Sequence, residues 1–243
     1  MNRKTAFLIC STVLLSTNIS ILTRIYADEK QTVNTSKIVD GKEESFTDET
    51  IESNTVDTSV ICNQNGGTVT INKNTLHKSG DTNNEDGKNA VVFTTGSSFT
   101  KIDQSDLQST SKGSSGIVAN EKAMVYANDS SIMTSNDSAN GLEAYSNGQI
   151  IANKMDITTQ GNQSAAVYAK QSDGSISLTN STLSTDGNNA PLLYANGTIE
   201  VDNVSGTASH SKIAEVEGGQ HLSIYNSQFS STNNSLLQNE TMK

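Results

Sequence analysis

A repeat of about 25 residues dominates this chain from residue 66 onward. Each copy carries two apolar positions separated by one residue, and a third apolar position five residues after the second. The copies are Val69-x-Ile71 with Leu76, Thr100-x-Ile102 with Leu107, Val125-x-Ala127 with Ile132, Ile150-x-Ala152 with Ile157, Ile176-x-Leu178 with Leu183, Ile199-x-Val201 with Gly206 in the third place, and Leu222-x-Ile224 with Phe229. The second positions are therefore spaced by 31, 25, 25, 26, 23 and 23 residues.

A second series of apolar pairs runs in phase with the first. Its pairs are Ile117-x-Ala119, Leu142-x-Ala144, Val167-x-Ala169, Leu193-x-Ala195 and Ala214-x-Val216. Residues two positions apart lie on the same side of a β-strand, whereas a helix brings together residues three and four apart. Each repeat therefore predicts two or three short strands, with the turn formers Gly, Asn and Asp between them.

Stacked copies of this repeat would form a solenoid. One coil cannot bury its apolar side chains alone, but stacking pairs every strand with its copy above and below. The sequence thus predicts an all-β fold, a single-stranded parallel β-helix of about seven coils with about 25 residues in each. Stacking at about 4.8 Å per coil makes it roughly 30–35 Å long. We also expect a column of polar residues at one corner, formed by Asn72, Asp103, Asn128, Asn153 and Asp202.

The repeat resembles the coils of a known group of proteins. The resemblance is carried by the segments GTVTINKNTL, GQIIANKMDITTQGNQSAAVYA and GSISLTNSTLSTDGNNAPLLYANGTIEVDNVSGTA. They look like right-handed parallel β-helix proteins of the pectin-lyase-like superfamily, and more closely like the adhesin-like, autotransporter-passenger-like surface proteins of bacteria. The resemblance covers about residues 66–235 and implies a right-handed coil, as does the general rule for parallel crossovers. Because that superfamily includes polysaccharide lyases, hydrolases, phage tailspikes and adhesins, the resemblance implies the fold more narrowly than the function.

The first 60 residues divide into two segments that lack the repeat. Residues 1–27 have a basic start, an apolar stretch and a small residue at Ala27, which predicts a cleaved secretory signal peptide. A retained membrane anchor is the alternative, and polar residues at its far end, such as Arg24, disfavour it. Residues 28–60 hold nine acidic residues against three lysines and show no apolar period, which predicts a disordered acidic spacer. The β-helix domain is then expected over residues 61–243.

The charge of the chain disfavours several partners. The formal net charge of −10 becomes −13 once residues 1–27, with three cations and no acid, are removed, and no arginine remains. Phosphate backbones and anionic lipid headgroups attract lysine and arginine, so we expect no nucleic-acid partner and no membrane insertion after signal cleavage. Cys62 alone survives cleavage, so the mature chain forms no internal disulfide.

The residues do not indicate catalysis. Lyases of the superfamily that the repeat resembles use an arginine base with an Asp-rich calcium site, and the mature chain has no arginine. Hydrolases need two or three carboxylates on one face, but here the acidic residues are scattered over different coils. His77, His210 and His221 follow no metal-ligand spacing. We therefore expect no catalytic residues, no metal and no cofactor, and we predict that the protein is not an enzyme.

One outward column is the candidate binding site. The middle residues of the second series are Val118, Glu143, Tyr168, Tyr194 and Glu215, so two tyrosines should lie on successive coils with a carboxylate on either side. Glu143 and Glu215 at the two ends are too far apart for joint chemistry. Aromatic faces flanked by hydrogen-bonding groups can hold sugar rings or peptide side chains. A tyrosine ladder that only strengthens the neighbouring strands is the alternative.

These features predict an exported, adhesin-like interaction protein. It would be secreted or associated with the cell surface, and would present rigid faces to a glycan or protein of a host or neighbouring cell. A carbohydrate-active β-helix enzyme, either a polysaccharide lyase or a hydrolase, and a structural spacer without a ligand stay open. The end of the sequence shows no cap and no LPxTG-type sorting motif. We therefore expect either a shortened relative of longer surface proteins or end-to-end self-association.

Overall fold

The computed structural model describes residues 32–218, 220–232 and 237–240. The predicted signal peptide, residues 1–27, lies outside them. Every strand pair in the described part is parallel, and this part contains no helix long and apolar enough to span a membrane. The strands are β1 (Thr32–Asn34), β2 (Lys37–Asp40), β3 (Glu43–Thr47), β4 (Thr50–Ser53), β5 (Ile61–Gln64), β6 (Thr68–Asn72), β7 (Thr75–Lys78), β8 (Val92–Thr94), β9 (Phe99–Asp103), β10 (Asp106–Ser109), β11 (Ile117–Ala119), β12 (Met124–Thr134), β13 (Leu142–Ala144), β14 (Gln149–Thr159), β15 (Val167–Ala169), β16 (Ser175–Thr179), β17 (Thr182–Thr185), β18 (Leu193–Ala195), β19 (Thr198–Asp202), β20 (Ser205–Ala208), β21 (Ala214–Glu217), β22 (His221–Tyr225), β23 (Gln228–Ser231) and β24 (Leu237–Glu240).

These strands form a parallel β-solenoid of about eight coils, and each coil places one strand segment on each of three faces. Face A contains β3, β6, β9, β16, β19, β22 and the first halves of β12 and β14. Face B contains β1, β4, β7, β10, β17, β20, β23 and the second halves of β12 and β14. Face C contains β2, β5, β8, β11, β13, β15, β18, β21 and β24. The predicted fold class is confirmed, whereas the hand of the coil stays a prediction.

The first coil, β2 to β4, lies in the segment that was expected to be a disordered acidic spacer. Val39, Phe46 and Ile51 of this coil are at most 6% exposed, and β3 and β4 pair in register with β6 and β7. Acidic residues such as Glu43 and Glu52 take outward positions between the buried ones, so the composition conceals a two-residue alternation. A disordered spacer is therefore wrong for residues 32–53, and this coil raises the count from seven to eight.

The core consists of apolar columns that run in register from coil to coil. On face A, Ile150, Ile176 and Ile199 lie over one another and are at most 1% exposed. On face C, Ala144 and Ala169 continue the second predicted series. The coils are about 25 residues apart, as the repeat predicted, so each apolar side chain packs against its own counterpart above and below.

The predicted polar column is present at the corner between faces A and B. Asp103, Asn128 and Asn153 are aligned by strand register. The Asn128 amide donates to Asp103 Oδ1 at 2.8 Å, and the Asn153 amide donates to Asn128 Oδ1 at 2.7 Å. Each asparagine amide thus donates a hydrogen bond to the side chain at the same position in the preceding coil, so this column has a structural role.

The turn from face B to face C varies most in length, and this variation positions the candidate site. Between coils it spans seven residues at 54–60, 110–116, 135–141, 160–166 and 186–192, and five at 209–213. After β7 it spans thirteen residues, 79–91. We call residues 79–91 the strap, because they extend along face C over the coils that follow.

Candidate functional site

The structure places the four predicted site residues in one column on face C. Glu143 pairs with Tyr168, Tyr168 with Tyr194, and Tyr194 with Glu215, at the centres of β13, β15, β18 and β21. The Tyr168 and Tyr194 rings are stacked, with centroids 4.6 Å apart and an interplanar angle of 11°. Each ring therefore covers one face of the other. A ligand outside the solenoid meets the ring edges and hydroxyl groups, which disfavours the predicted stacking of a sugar on these rings.

Glu143 differs from the expectation of an outward, solvent-facing carboxylate, because it is only 4% exposed. Its Oε2 accepts hydrogen bonds from Ser115 Oγ at 2.7 Å and Asn140 Nδ2 at 3.1 Å. Its Oε1 lies 3.3 Å from the Lys170 ammonium. A buried carboxylate is stable when paired and hydrogen-bonded in this way, so Glu143 organises the site from beneath and is not free to bind a ligand.

The far end of the strap is anchored to coils five and six, which carry Glu143 and Lys170. Tyr145 donates its hydroxyl hydrogen to the backbone oxygen of Asp86 at 2.5 Å, and Lys170 Nζ donates to the backbone oxygen of Glu85 at 2.6 Å. The Lys170 ammonium also lies 5.4 Å from the centroid of the Tyr145 ring. Lys170 therefore links the strap, the buried Glu143 and an aromatic ring.

Beneath the strap lies a second apolar cluster, separate from the core. It consists of Ala90, Phe93, Val118 and Tyr145, with Cys62 packed at its edge. Burial is the main reason that the pKa of the Cys62 thiol is raised. It also raises the pKa of Tyr145, with a smaller contribution from neighbouring carboxylates that include Glu143. Because Val118 belongs to the predicted outward column, the strap converts the first part of that column from surface to interior.

The base of the strap is held by polar contacts to the turn of the preceding coil. The Asp57 carboxylate accepts hydrogen bonds from the Thr82 hydroxyl and, at 2.7 Å, from Asn84 Nδ2. Lys78 is fully buried, and its ammonium donates to the backbone oxygens of Thr55 at 3.0 Å and Ser79 at 2.8 Å. Desolvation lowers the pKa of Lys78 to about 8, against the opposing effect of Asp57. Lys78 thus occupies the corner where the enlarged turn leaves the solenoid.

A groove of about 510 Å³ lies between the strap and the row of shorter turns, with the tyrosine pair inside it. All four predicted site residues line this groove. The strap contributes Thr82, Asn83, Asn84, Glu85 and Gly87. The opposite wall is formed by residues of successive turns, namely Lys112, Gly113, Ser115, Ser138, Asn140, Gln163, Ala165, Asn189, Pro191 and Lys212, together with Lys170.

Carboxylates surround the tyrosine hydroxyls in the groove. Burial raises the pKa of Tyr168 to about 12, helped by Glu143, Glu217, Glu85 and Glu215 in that order. The pKa of Tyr194 is raised by burial first and then by a hydrogen bond to Glu217, whose Oε1 accepts from the Tyr194 hydroxyl at 2.6 Å. Both tyrosines are therefore neutral hydrogen-bonding groups at physiological pH.

The groove offers binding groups more readily than catalytic ones. Glu143 and Glu215 are three coils apart, about 14 Å at the usual strand spacing, which exceeds the separation of paired carboxylates in glycosidases. No group of three or more His, Cys, Asp or Glu side chains within the described ranges is placed to hold a metal ion. The polar side chains that remain can donate and accept hydrogen bonds along an open channel.

The strap was missed from the sequence, although one signal for it was present. The second apolar positions of the first two repeat copies, Ile71 and Ile102, are 31 residues apart, whereas the same positions of the second and third copies are 25 apart. The six extra residues are the difference between the strap and a seven-residue turn. Their path over face C depends on Tyr145 and Lys170, which lie far along the chain.

Comparison with known proteins identifies no relative, since no protein-family model, no curated protein and no solved structure matches this chain.

Proposed function

We propose that this chain is an exported, adhesin-like interaction protein whose groove contacts a glycan or protein of a host or neighbouring cell. The observation that carries the proposal is that the strap, the tyrosine pair and the row of turns form one concave channel with both polar and apolar lining. Ligand sites are typically concave and largely preformed, with a few polar groups that set the orientation of the ligand.

The solenoid supports this proposal because it makes the channel rigid. The residues that line one wall come from equivalent turns of successive coils, and those turns are joined by backbone hydrogen bonds such as Gly141 N to Ala165 O at 2.9 Å. A preorganised surface loses little entropy on binding, so many weak contacts can add up to useful affinity. Export, and a secreted or surface location, are supported by the signal-like pattern of residues 1–27.

A carbohydrate-active enzyme is the second candidate, favoured by one specific pair. Glu215 and Glu217 both point outward from β21, and positions two apart on a strand are separated by about 7 Å. This spacing is near the lower end of the range for inverting glycosidases. However, Glu215 lies 3.7 Å from Lys212 and Glu217 accepts a hydrogen bond from Tyr194. Both carboxylates are thus already engaged by side chains of the protein itself, whereas a glycosidase needs them free to face the scissile bond.

The proposal is tested by screening the protein against arrays of host glycans and extracellular matrix proteins. Tyr168→Ala removes a groove side chain, and Tyr126→Ala is a matched control because Tyr126 is 45% exposed on face A. We expect Tyr168→Ala to weaken binding of the ligand found by about fivefold or more, and Tyr126→Ala to leave it unchanged. Equal effects of the two substitutions would place the binding site elsewhere.

The alternatives predict different results in the same experiments. A structural spacer predicts that both arrays show no binding. An enzyme predicts activity on a panel of polysaccharides that disappears in Glu217→Gln, a substitution that keeps the shape of the side chain and removes its charge. Either result would contradict the adhesin-like proposal.

A further inference from the structure

Apolar side chains cluster on the outer surface of face A at coils three to five. Tyr126 is 45% exposed, and Phe99, Met124 and Ile151 are half-buried at outward positions beside it. The Phe99 and Tyr126 rings are tilted relative to one another, with centroids 6.0 Å apart. Exposed apolar residues that form one patch commonly mark a contact surface, so face A is a candidate interface.

The outward residues of face A change from large to small along the solenoid. Strand pairing aligns them in two columns that run through coils three to seven. The first column reads Phe99, Met124, Gln149, Ser175 and Thr198, and the second reads Lys101, Tyr126, Ile151, Ser177 and Glu200. The large side chains lie mainly before coil five and the small hydroxyl side chains after it. One half of face A is therefore complementary in size to the other half.

The charged residues of the second column have opposite signs at its two ends. Lys101 and Glu200 are both exposed, and neither forms an ion pair with another described residue. They are four coils apart, about 19 Å at the usual strand spacing, so they cannot pair within one chain. A two-fold axis along the strand of coil five exchanges the two ends. It brings Lys101 of one copy against Glu200 of the other.

We propose that face A binds the same face of a second copy of this chain, related by this two-fold axis through Ile151. In this register Ile151 and Gln149 each meet their own counterparts, and Tyr126 lies against Ser177 of the second copy. A glutamine amide can both donate to and accept from an identical amide. A two-fold contact makes every other favourable pair twice and closes as a dimer.

Other arrangements of the two faces lose the charge complementarity. A shift of the axis to coil four puts Lys101 against Ile151, and an axis along the solenoid puts Lys101 against its own counterpart. The proposed register has one unfavourable feature, because Asp103 and Asp202 meet at the corner between faces A and B. Each of these carboxylates accepts an amide hydrogen bond from an asparagine of a neighbouring coil. Like charges at a solvated rim are also screened by salt.

The area of face A suits a reversible dimer. Five residues of each strand span about 17 Å, and the seven coils that overlap span about 34 Å, so each copy covers about 600 Å² of the other. The total of about 1,200 Å² is at the lower end of the range for specific interfaces. We therefore expect a dissociation constant in the micromolar range.

This contact leaves the groove open, because the tyrosine pair and the strap lie on face C. A substitution on face A therefore leaves the affinity of each groove unchanged. The inference does not rest on the proposed function, and either can fail without the other.

The test is sedimentation equilibrium of the full chain under reducing conditions, at about 1–200 µM protein to bracket the expected dissociation constant. Lys101→Glu and Glu200→Lys each reverse one end of the column, and the double variant exchanges the two charges. Asp156→Lys is the matched control, because Asp156 is exposed on face B and undergoes the same change of charge as Glu200→Lys.

We expect the unmodified chain to dimerise, and each single reversal to weaken the dimer by about tenfold or more, because two attractive pairs become repulsive. The double variant should recover a dissociation constant within about threefold of the original one. Asp156→Lys should leave the dimer unchanged. Circular dichroism should show that every variant keeps its strand content.

Three results would overturn the inference. The unmodified chain could remain a monomer over the whole concentration range. The double variant could dimerise no better than the single variants, which would show that Lys101 and Glu200 do not meet. Glu200→Lys could strengthen the dimer while Lys101→Glu weakens it, and association would then follow the net charge of −10 alone.

Discussion

Replacement of Gly87 by alanine tests how the strap packs on face C. Gly87 has a φ of 74°, and an added Cβ would lie 2.8 Å from the Tyr145 hydroxyl oxygen and 2.9 Å from Val118 Cγ1. Gly218 is a matched control, because its φ is 64° and the nearest atom to an added Cβ is 3.9 Å away. Both substitutions impose a left-handed backbone on alanine, and only Gly87→Ala adds a steric conflict.

The two effects can be separated by magnitude. The left-handed conformation costs an alanine about 1 kcal/mol, so Gly218→Ala should lower the free energy of unfolding by about that amount. Overpacking adds about 1–3 kcal/mol, so Gly87→Ala should lower it by about 2–4 kcal/mol. The loss of stability cannot exceed the free energy that docking of the strap contributes. A strap that lifts away relieves the clash, but it gives up its contacts to Tyr145 and Lys170.

Urea unfolding measures the stability difference, and the reactivity of Cys62 with a disulfide reagent reports the position of the strap. In a Cys10→Ser background, Cys62 is the only thiol, and it packs against the cluster beneath the strap. Opening of the strap should expose this thiol and bring its raised pKa back toward the ordinary value, which speeds the reaction. Equal stability losses in Gly87→Ala and Gly218→Ala, with unchanged thiol reactivity, would refute the packing described here.

Three further predictions concern the core, the buried lysine and the tyrosine pair. Ile150→Ala should lower the free energy of unfolding by about 2–5 kcal/mol in urea titrations, whereas Ser177→Ala, at an outward position, should change it by less than about 0.5 kcal/mol. Because the folded protein lowers the pKa of Lys78 from 10.5 to about 8, the unfolded chain binds the extra proton between these values. Relative to Lys78→Met, the free energy of unfolding should therefore rise as the pH increases from about 8 to 10.5, and a flat difference would contradict the burial of the ammonium. A double-mutant cycle of Tyr168→Ala and Tyr194→Ala should give a coupling of about 1 kcal/mol, and a coupling of zero would show that the rings do not stack.

Most of the solenoid could be predicted from residue spacing. The repeat aligned Ile71 with Ile102 and Ala119 with Ala144, and strand pairing confirms both alignments. This works because a parallel solenoid repeats the same strand, and apolar residues two apart mark its inward side. The column of Tyr168 and Tyr194 followed from the same register.

The earlier coils were harder to recognise because polar residues occupy part of their core. Asn63 and Thr94 hold the inward positions on face C that alanines hold in later coils. Asn63 Nδ2 donates to Thr100 Oγ1 at 3.0 Å, and the hydroxyls of Thr94 and Thr100 are 2.8 Å apart. Buried polar side chains that hydrogen-bond to one another leave no apolar signal in the sequence.

The sequence by itself determined which residues face inward and which coils lie above one another, because a two-residue alternation and a 25-residue period are local properties of the chain. Only the tertiary structure decided what covers the outer surface of face C. The strap reaches Tyr145 and Lys170, which are 59 and 85 residues away from their partners in sequence, and no periodicity encodes such contacts. They hold the strap against face C, where it makes one wall of the groove.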